Sequence, residues 1–179
     1  MIAVIGASCQ RLRSLLRLAA RINDAVGHTT AWLLLALVLT TLSVAALRYG
    51  LDWGSIALQE TIVYLHATVF MLGAAFTLRH NAHVRVDVVY QQLGPRARAW
   101  IDLVGTLLLL LPTATVIIVY AFDYVASAWS LKEGSREAGG LPFVYVLKTL
   151  IPVSAGLLLL EGLAMVDRAV ERLRPIPSP

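Results

Sequence analysis

Cysteine is nearly absent from this chain. Cys9 stands alone among 179 residues, so no intrachain disulfide can form and cysteine usage reports no redox compartment. Charge is also scarce. Only 15% of residues are Asp, Glu, Lys or Arg, 58% are hydrophobic, and mean hydropathy is +0.74, far from the balance of a soluble domain. The sequence has no Gly-rich phosphate loop, nucleophile motif or clustered metal-ligand set, which leaves an enzyme reading with no residues to carry it. The first ten residues lack a basic start and the next apolar run is too long for a signal h-region, so a cleaved signal peptide is not expected. A net charge of +4 is read here through membrane topology and not through nucleic-acid binding.

What is present is long apolar runs. Ala25–Leu47, Thr61–Leu78 and Leu103–Phe122 contain no acidic or basic residue, and Ala138–Glu161 contains only Lys148 before its terminal glutamate. Crossing a hydrocarbon core of ~30 Å takes ~20 helical residues. The expectation is an all-α integral membrane protein, a single membrane domain over residues 1–179, with spans near 28–47, 56–78, 100–129 and 141–165.

Taken in order, residues 11–26 carry Arg13, Arg17 and Arg21 on one helical arc and Leu12, Leu15, Leu16, Ala19, Ile22 and Val26 on the other. That pattern predicts an N-terminal amphipathic helix in the membrane interface, with a plain extension of the first span as the competing reading. Asn23 or Asp24 is expected to cap the first span. Arg48–Ser55 makes a short turn. Span two carries Glu60 near its start and ends in a small-residue patch, Gly73-Ala74-Ala75, suited to close helix approach. A central polar stretch follows, with Arg79, His80, His83, Arg85 and Asp87. His83 and Asp87 are four apart and positioned to pair. Residues 84–93 read as a second amphipathic interfacial helix, ended by Gly94-Pro95. Pro112 is expected to kink span three, and Pro152 to leave the carbonyl of residue 148 without its helical donor. The proline-rich tail, 175–179, reads as disordered.

Basic residues fix the orientation. Arg11, Arg13, Arg17, Arg21, the four arginines between 79 and 98, and Arg168, Arg172 and Arg174 fall on one side, against Arg48, Lys132 and Arg136 on the other. Both termini and the central segment are therefore expected in the cytoplasm.

Charges within the spans each call for a reason, because burying one costs ~2.5–3.5 kcal/mol on insertion scales. Glu60, Asp123 and Lys148 come to a similar depth in the outer half. The reading is a structural Lys148–Asp123 ion pair with Glu60 beside it or facing a partner protein, in preference to an ion or substrate relay. Asp102 and Glu161, near the inner ends, read as interfacial. His66 alone is deep in a span; His28, His80 and His83 do not match its depth, so haem held between helices is not expected. No cofactor or metal is expected.

The segment Glu60…Tyr64…Phe70-Met71-Leu72-Gly73-Ala74-Ala75…Arg79-His80-Asn81-Ala82-His83-Val84-Arg85-Val86-Asp87 resembles the small membrane subunit of tripartite ATP-independent periplasmic (TRAP) transporters, the DctQ-like family. Gly140-Leu141-Pro142-Phe143…Ile151-Pro152 resembles the start of that family's fourth span. A glycine common before the first family histidine is missing at His80-Asn81-Ala82. The resemblance implies a non-catalytic small subunit in a bacterial inner membrane. Its partners would be a large multispan subunit that moves as an elevator and a periplasmic binding protein that delivers an organic acid, with ion-driven symport. It marks Glu60, Gly73, Arg79, His83, Arg85, Asp87 and Pro152 as structural or interface candidates, to which the charges within the spans add Asp123 and Lys148. The loops at 48–55 and 130–140 become candidates to touch the binding protein, tested through Lys132, Glu133, Arg136 and Glu137. The alternatives are a self-sufficient small oligomeric transporter or channel, and a membrane anchor of a redox complex.

Overall fold

The structure is a computed structural model. It describes residues 2–80, 90 and 92–173, without the side chains of 2–13, 15 and 17. The described residues form helices and turns, with no strand among them. Helix α1 spans Ile2–Gly50, α2 Ile56–Arg79, α3 Pro95–Gly105, α4 Leu111–Ser130 and α5 Val144–Leu173. A π-helical segment, Thr106–Leu110, joins α3 to α4. Four helices are long and apolar enough to cross a membrane: Leu18–Gly50, Ile56–Arg79, the joined run Pro95–Ser130, and Val144–Leu173.

Each sequence-predicted span lies inside one of these, except that the fourth begins at Val144 and not at 141. The N-terminal reading changes more. Residues 11–26 belong to the same unbroken helix as the first span, so they are not a separate surface helix. At ~1.5 Å per residue the 49 residues of α1 run about 74 Å, over twice a hydrocarbon core. Asn23 and Asp24 are therefore interior to a helix and cap nothing. Residues 84–89 and 91 of the second predicted amphipathic helix, and the tail from 174, lie outside the described residues, as do His83, Arg85 and Asp87.

Local chemistry explains the breaks. After Gly50 the chain turns through Asp52 in a left-handed conformation (φ 51°), with the Leu51 and Trp53 amides both donating to the Leu47 carbonyl. Ser55 starts α2 by accepting from the Leu58 amide at 3.4 Å. Pro112 sits in the first turn of α4. It has no amide for the Leu108 carbonyl, and its ring would press on that group. The chain widens ahead of it instead, and the Leu111 amide reaches five residues back to Thr106. Ahead of Pro112, where a kink was expected, the structure has a π-turn.

Helix α5 is the hub. It packs on α1, α2, α3 and α4, whereas α2 and α4 scarcely meet. A third (33%) of the most apolar stretch of α5 is buried, against 6% for α1 and for α2. The seams are built on small residues: Ala75, Ala99, Ala114, Ala128, Ala155 and Ala169 are all buried, which is how helices approach closely in lipid. Large side chains point outward, among them Leu35 and Leu42 of α1, Val63 and Phe70 of α2, and Val119, Tyr120 and Phe122 of α4. The tightest seam is at Gly27, where any Cβ would overlap the Phe76 ring. Gly73, the sequence candidate for close approach, is looser. A Cβ there would meet only Thr30 Oγ1, at 4.0 Å.

Candidate functional site

Among the described residues, charged side chains gather at a loop end and at an arginine-rich end, and His66 and Asp123 face outward between them. At the loop end the chain 131–143 folds back over the bundle. Glu60, on the second turn of α2, takes its backbone into hand: Oε1 accepts from the Ser135 hydroxyl and Oε2 from the Leu141 amide at 2.6 Å. Gly140 permits this approach, since a Cβ there would lie 2.7 Å from Glu60 Oε1. Lys148 reaches Glu133 Oε2 at 2.5 Å and lies over the Tyr124 ring, 4.1 Å from its centroid. Trp129 Nε1 donates to Thr149 Oγ1 at 2.8 Å, and its ring packs on Tyr145 at 4.7 Å.

This corrects the expected Lys148–Asp123 pair. Asp123 is exposed and Lys148 is committed to Glu133. Lys148 and Asp123 lie at similar depth, but the loop folds inward and brings Glu133 nearer to Lys148. Glu60 does not pair with a cation; it holds a loop. Pro152 lies inside α5 as expected.

The arginine-rich end holds a cluster that the sequence reading left unassembled. Glu161 of α5 is 1% exposed. Its Oε1 accepts from Arg168 at 2.6 Å, and its Oε2 accepts from Asn23 Nδ2 at 3.2 Å and lies 3.9 Å from Arg79. Arg79 Nε in turn lies 2.8 Å from Asp24 Oδ1, with His80 3.8 Å away on the same oxygen. Three helices, α1, α2 and α5, thus meet at one buried carboxylate. Beside it Asp102 of α3 accepts from the Tyr90 hydroxyl with both oxygens, at 3.0 and 2.9 Å, and faces Arg172 at 3.9 Å. Glu161 is therefore a buried tie between helices. A signal existed in the sequence: a glutamate in an apolar run, with an arginine two turns on and another ending α2.

Two ionisable groups are satisfied by neither cluster. His66, midway along α2, and Asp123, about two turns before Ser130, are both exposed on the isolated chain. Between α1 and α2 an apolar groove of about 440 Å³ opens sideways, lined by Gly27, Ala31, Leu34, Phe70, Gly73 and Ala74 among others. Among the described residues no three His, Cys, Asp or Glu side chains group as metal ligands. The arrangement suits joining helices and presenting faces. No curated protein sequence matches the chain. The family model described as tripartite ATP-independent periplasmic transporters, DctQ component, matches residues 36–174, and the chain belongs to that family, the small membrane component of TRAP transporters.

Proposed function

We propose that this chain is the non-catalytic brace of its transporter, a fixed helical wall against which a large elevator subunit moves during ion-driven uptake of an organic acid. The observation that carries this reading is the distribution of polar groups. Ion pairs lock the two ends of the bundle, while His66 and Asp123 face outward at membrane depth. An ionisable side chain in hydrocarbon normally faces a protein interior or a partner. Each end is tied by its own ion pairs, and nothing among the described residues links the two into a polar path. A large multispan subunit covering the outward positions fits this pattern better than a pore within the chain.

The distribution of arginines supports a cytoplasmic placement of both termini and of the Arg79–Arg98 region. Bacterial inner membrane localisation follows from the family. The loop 131–143 would then face the periplasm, pre-shaped by Glu60 and by the Glu133–Lys148 pair. Lys132, Arg136 and Glu137 are its exposed charges and are the candidates to touch a binding protein. Glu133 is withdrawn from that set because Lys148 holds it.

The test is reconstitution. Vesicles holding the chain together with its large subunit should take up a radiolabelled organic acid when the binding protein and an ion gradient are supplied. Vesicles holding either membrane chain alone should not. Uptake by the large subunit alone at the full rate would remove the bracing role, and uptake by this chain alone would favour the small-transporter reading.

A further inference from the structure

A polar cavity of about 40 Å³ lies between α2, α3 and α5 at the arginine-rich end, and the proposal above gives it no role. Arg79, Arg168, Arg172 and Asp102 form its polar wall, with Leu78 and Met165 beside them. It exceeds the ~10–15 Å³ that one water needs. We infer that this cavity binds a phosphate-class anion, with the head group of an inner-leaflet phospholipid as the source that its position favours.

The arginines around the cavity carry more donors than the described acceptors take up. A guanidinium carries five N–H groups and no acceptor. Arg79 spends Nε on Asp24, and Arg168 spends one amino group on Glu161. Arg172 is 62% exposed and, among the described residues, has one ion-pair neighbour, Asp102 at 3.9 Å, beyond hydrogen-bond range. The acids nearby are already engaged. Both Asp102 oxygens accept from Tyr90, and both Glu161 oxygens accept from Arg168 or Asn23. Three guanidinium groups thus converge on one small space, with most of their donors unspent on the described residues. Forked guanidinium donors match a phosphate's oxygens. Basic pockets between helices on the cytoplasmic side are where lipid head groups bind. The exposed Trp100 on α3 suits the same head-group level. The lipid assignment rests on the cytoplasmic placement proposed above; the anion chemistry does not.

The experiment uses the full chain co-purified with its large subunit, or alone if no complex forms, followed by native mass spectrometry and thermal shift. The probes are phosphatidylglycerol, diacylglycerol (the chains without the phosphate) and inorganic phosphate. Phosphatidylglycerol should be retained and should stabilise the protein, and diacylglycerol should do neither. Arg172→Gln should weaken that binding about tenfold, as the loss of one charged hydrogen-bonding partner does. Arg96→Gln, on the same end but outside the cavity, should leave it unchanged. Inorganic phosphate acting as strongly as the lipid would support the anion site and make its source soluble phosphate. Equal retention by wild type and Arg172→Gln, equal loss in Arg96→Gln, equal binding of diacylglycerol, or binding of no phosphate species would each overturn the proposal. The same spectra report whether the large subunit is present, so failure of the complex and failure of the site are read separately.

Discussion

Lys148 shows how much a single residue can and cannot reveal. Its position marks it at once as an intramembrane cation in need of a partner, but its partner is Glu133, on a loop, and not Asp123, on the next helix. Replacing it with methionine leaves a part-exposed carboxylate without its cation and should lower stability modestly. A chemical-denaturation or thermal-shift series would show this, and Glu133→Gln added to Lys148→Met should recover most of the loss. Asp123→Asn should leave stability unchanged; if it destabilised the chain as Lys148→Met does, the assigned pairing would be wrong. Glu161→Gln should be more severe, about 3 kcal/mol or more, because three helices converge on that carboxylate. The charges of this cluster were visible in the sequence one by one. Their convergence was not, because Asn23 and Glu161 are 138 positions apart and only the packing of α1 against α5 brings them together.

Among the elements, the apolar runs announced the helices because a membrane-spanning helix must satisfy its backbone internally and hide it in nonpolar side chains. What the runs do not report is where a helix stops once it leaves hydrocarbon. Arg13, Arg17 and Arg21 fit an interfacial helix and equally fit the start of α1, and the structure makes them part of one helix. The glycines behaved similarly. Gly73 carries the pattern for close approach, but the contact that matters is Gly27 against Phe76, which depends on the rotation of α2 and not on the small-residue spacing. Gly27→Val should therefore force α1 and α2 apart and lower membrane-inserted yield and melting temperature sharply. Gly73→Ala, meeting only Thr30 at 4.0 Å, should be tolerated. Equal damage from both would mean that the α1–α2 seam is placed wrongly.

The molecule as a whole is a thin assembly around α5, with much of α1, α2 and α4 turned outward. The sequence conveyed the four spans, the family and an expected orientation, since length, charge and short motifs are local properties. It did not convey which helix is central, as all four spans are similarly apolar and burial depends on the company each keeps. For orientation, single cysteines introduced on a Cys9→Ser background at Arg136 and at Arg172 should react with a membrane-impermeant maleimide only at 136 in intact spheroplasts. Labelling at 172 alone would invert the topology. The central claim is that a large subunit covers the outward positions at membrane depth. The most direct measurement places a photo-crosslinking amino acid at His66 or at Asp123, one at a time, in cells that express the whole transporter. The account predicts a crosslinked product with the large multispan subunit from these positions. Crosslinks only to lipid or to a second copy of this chain, from both positions, would contradict it.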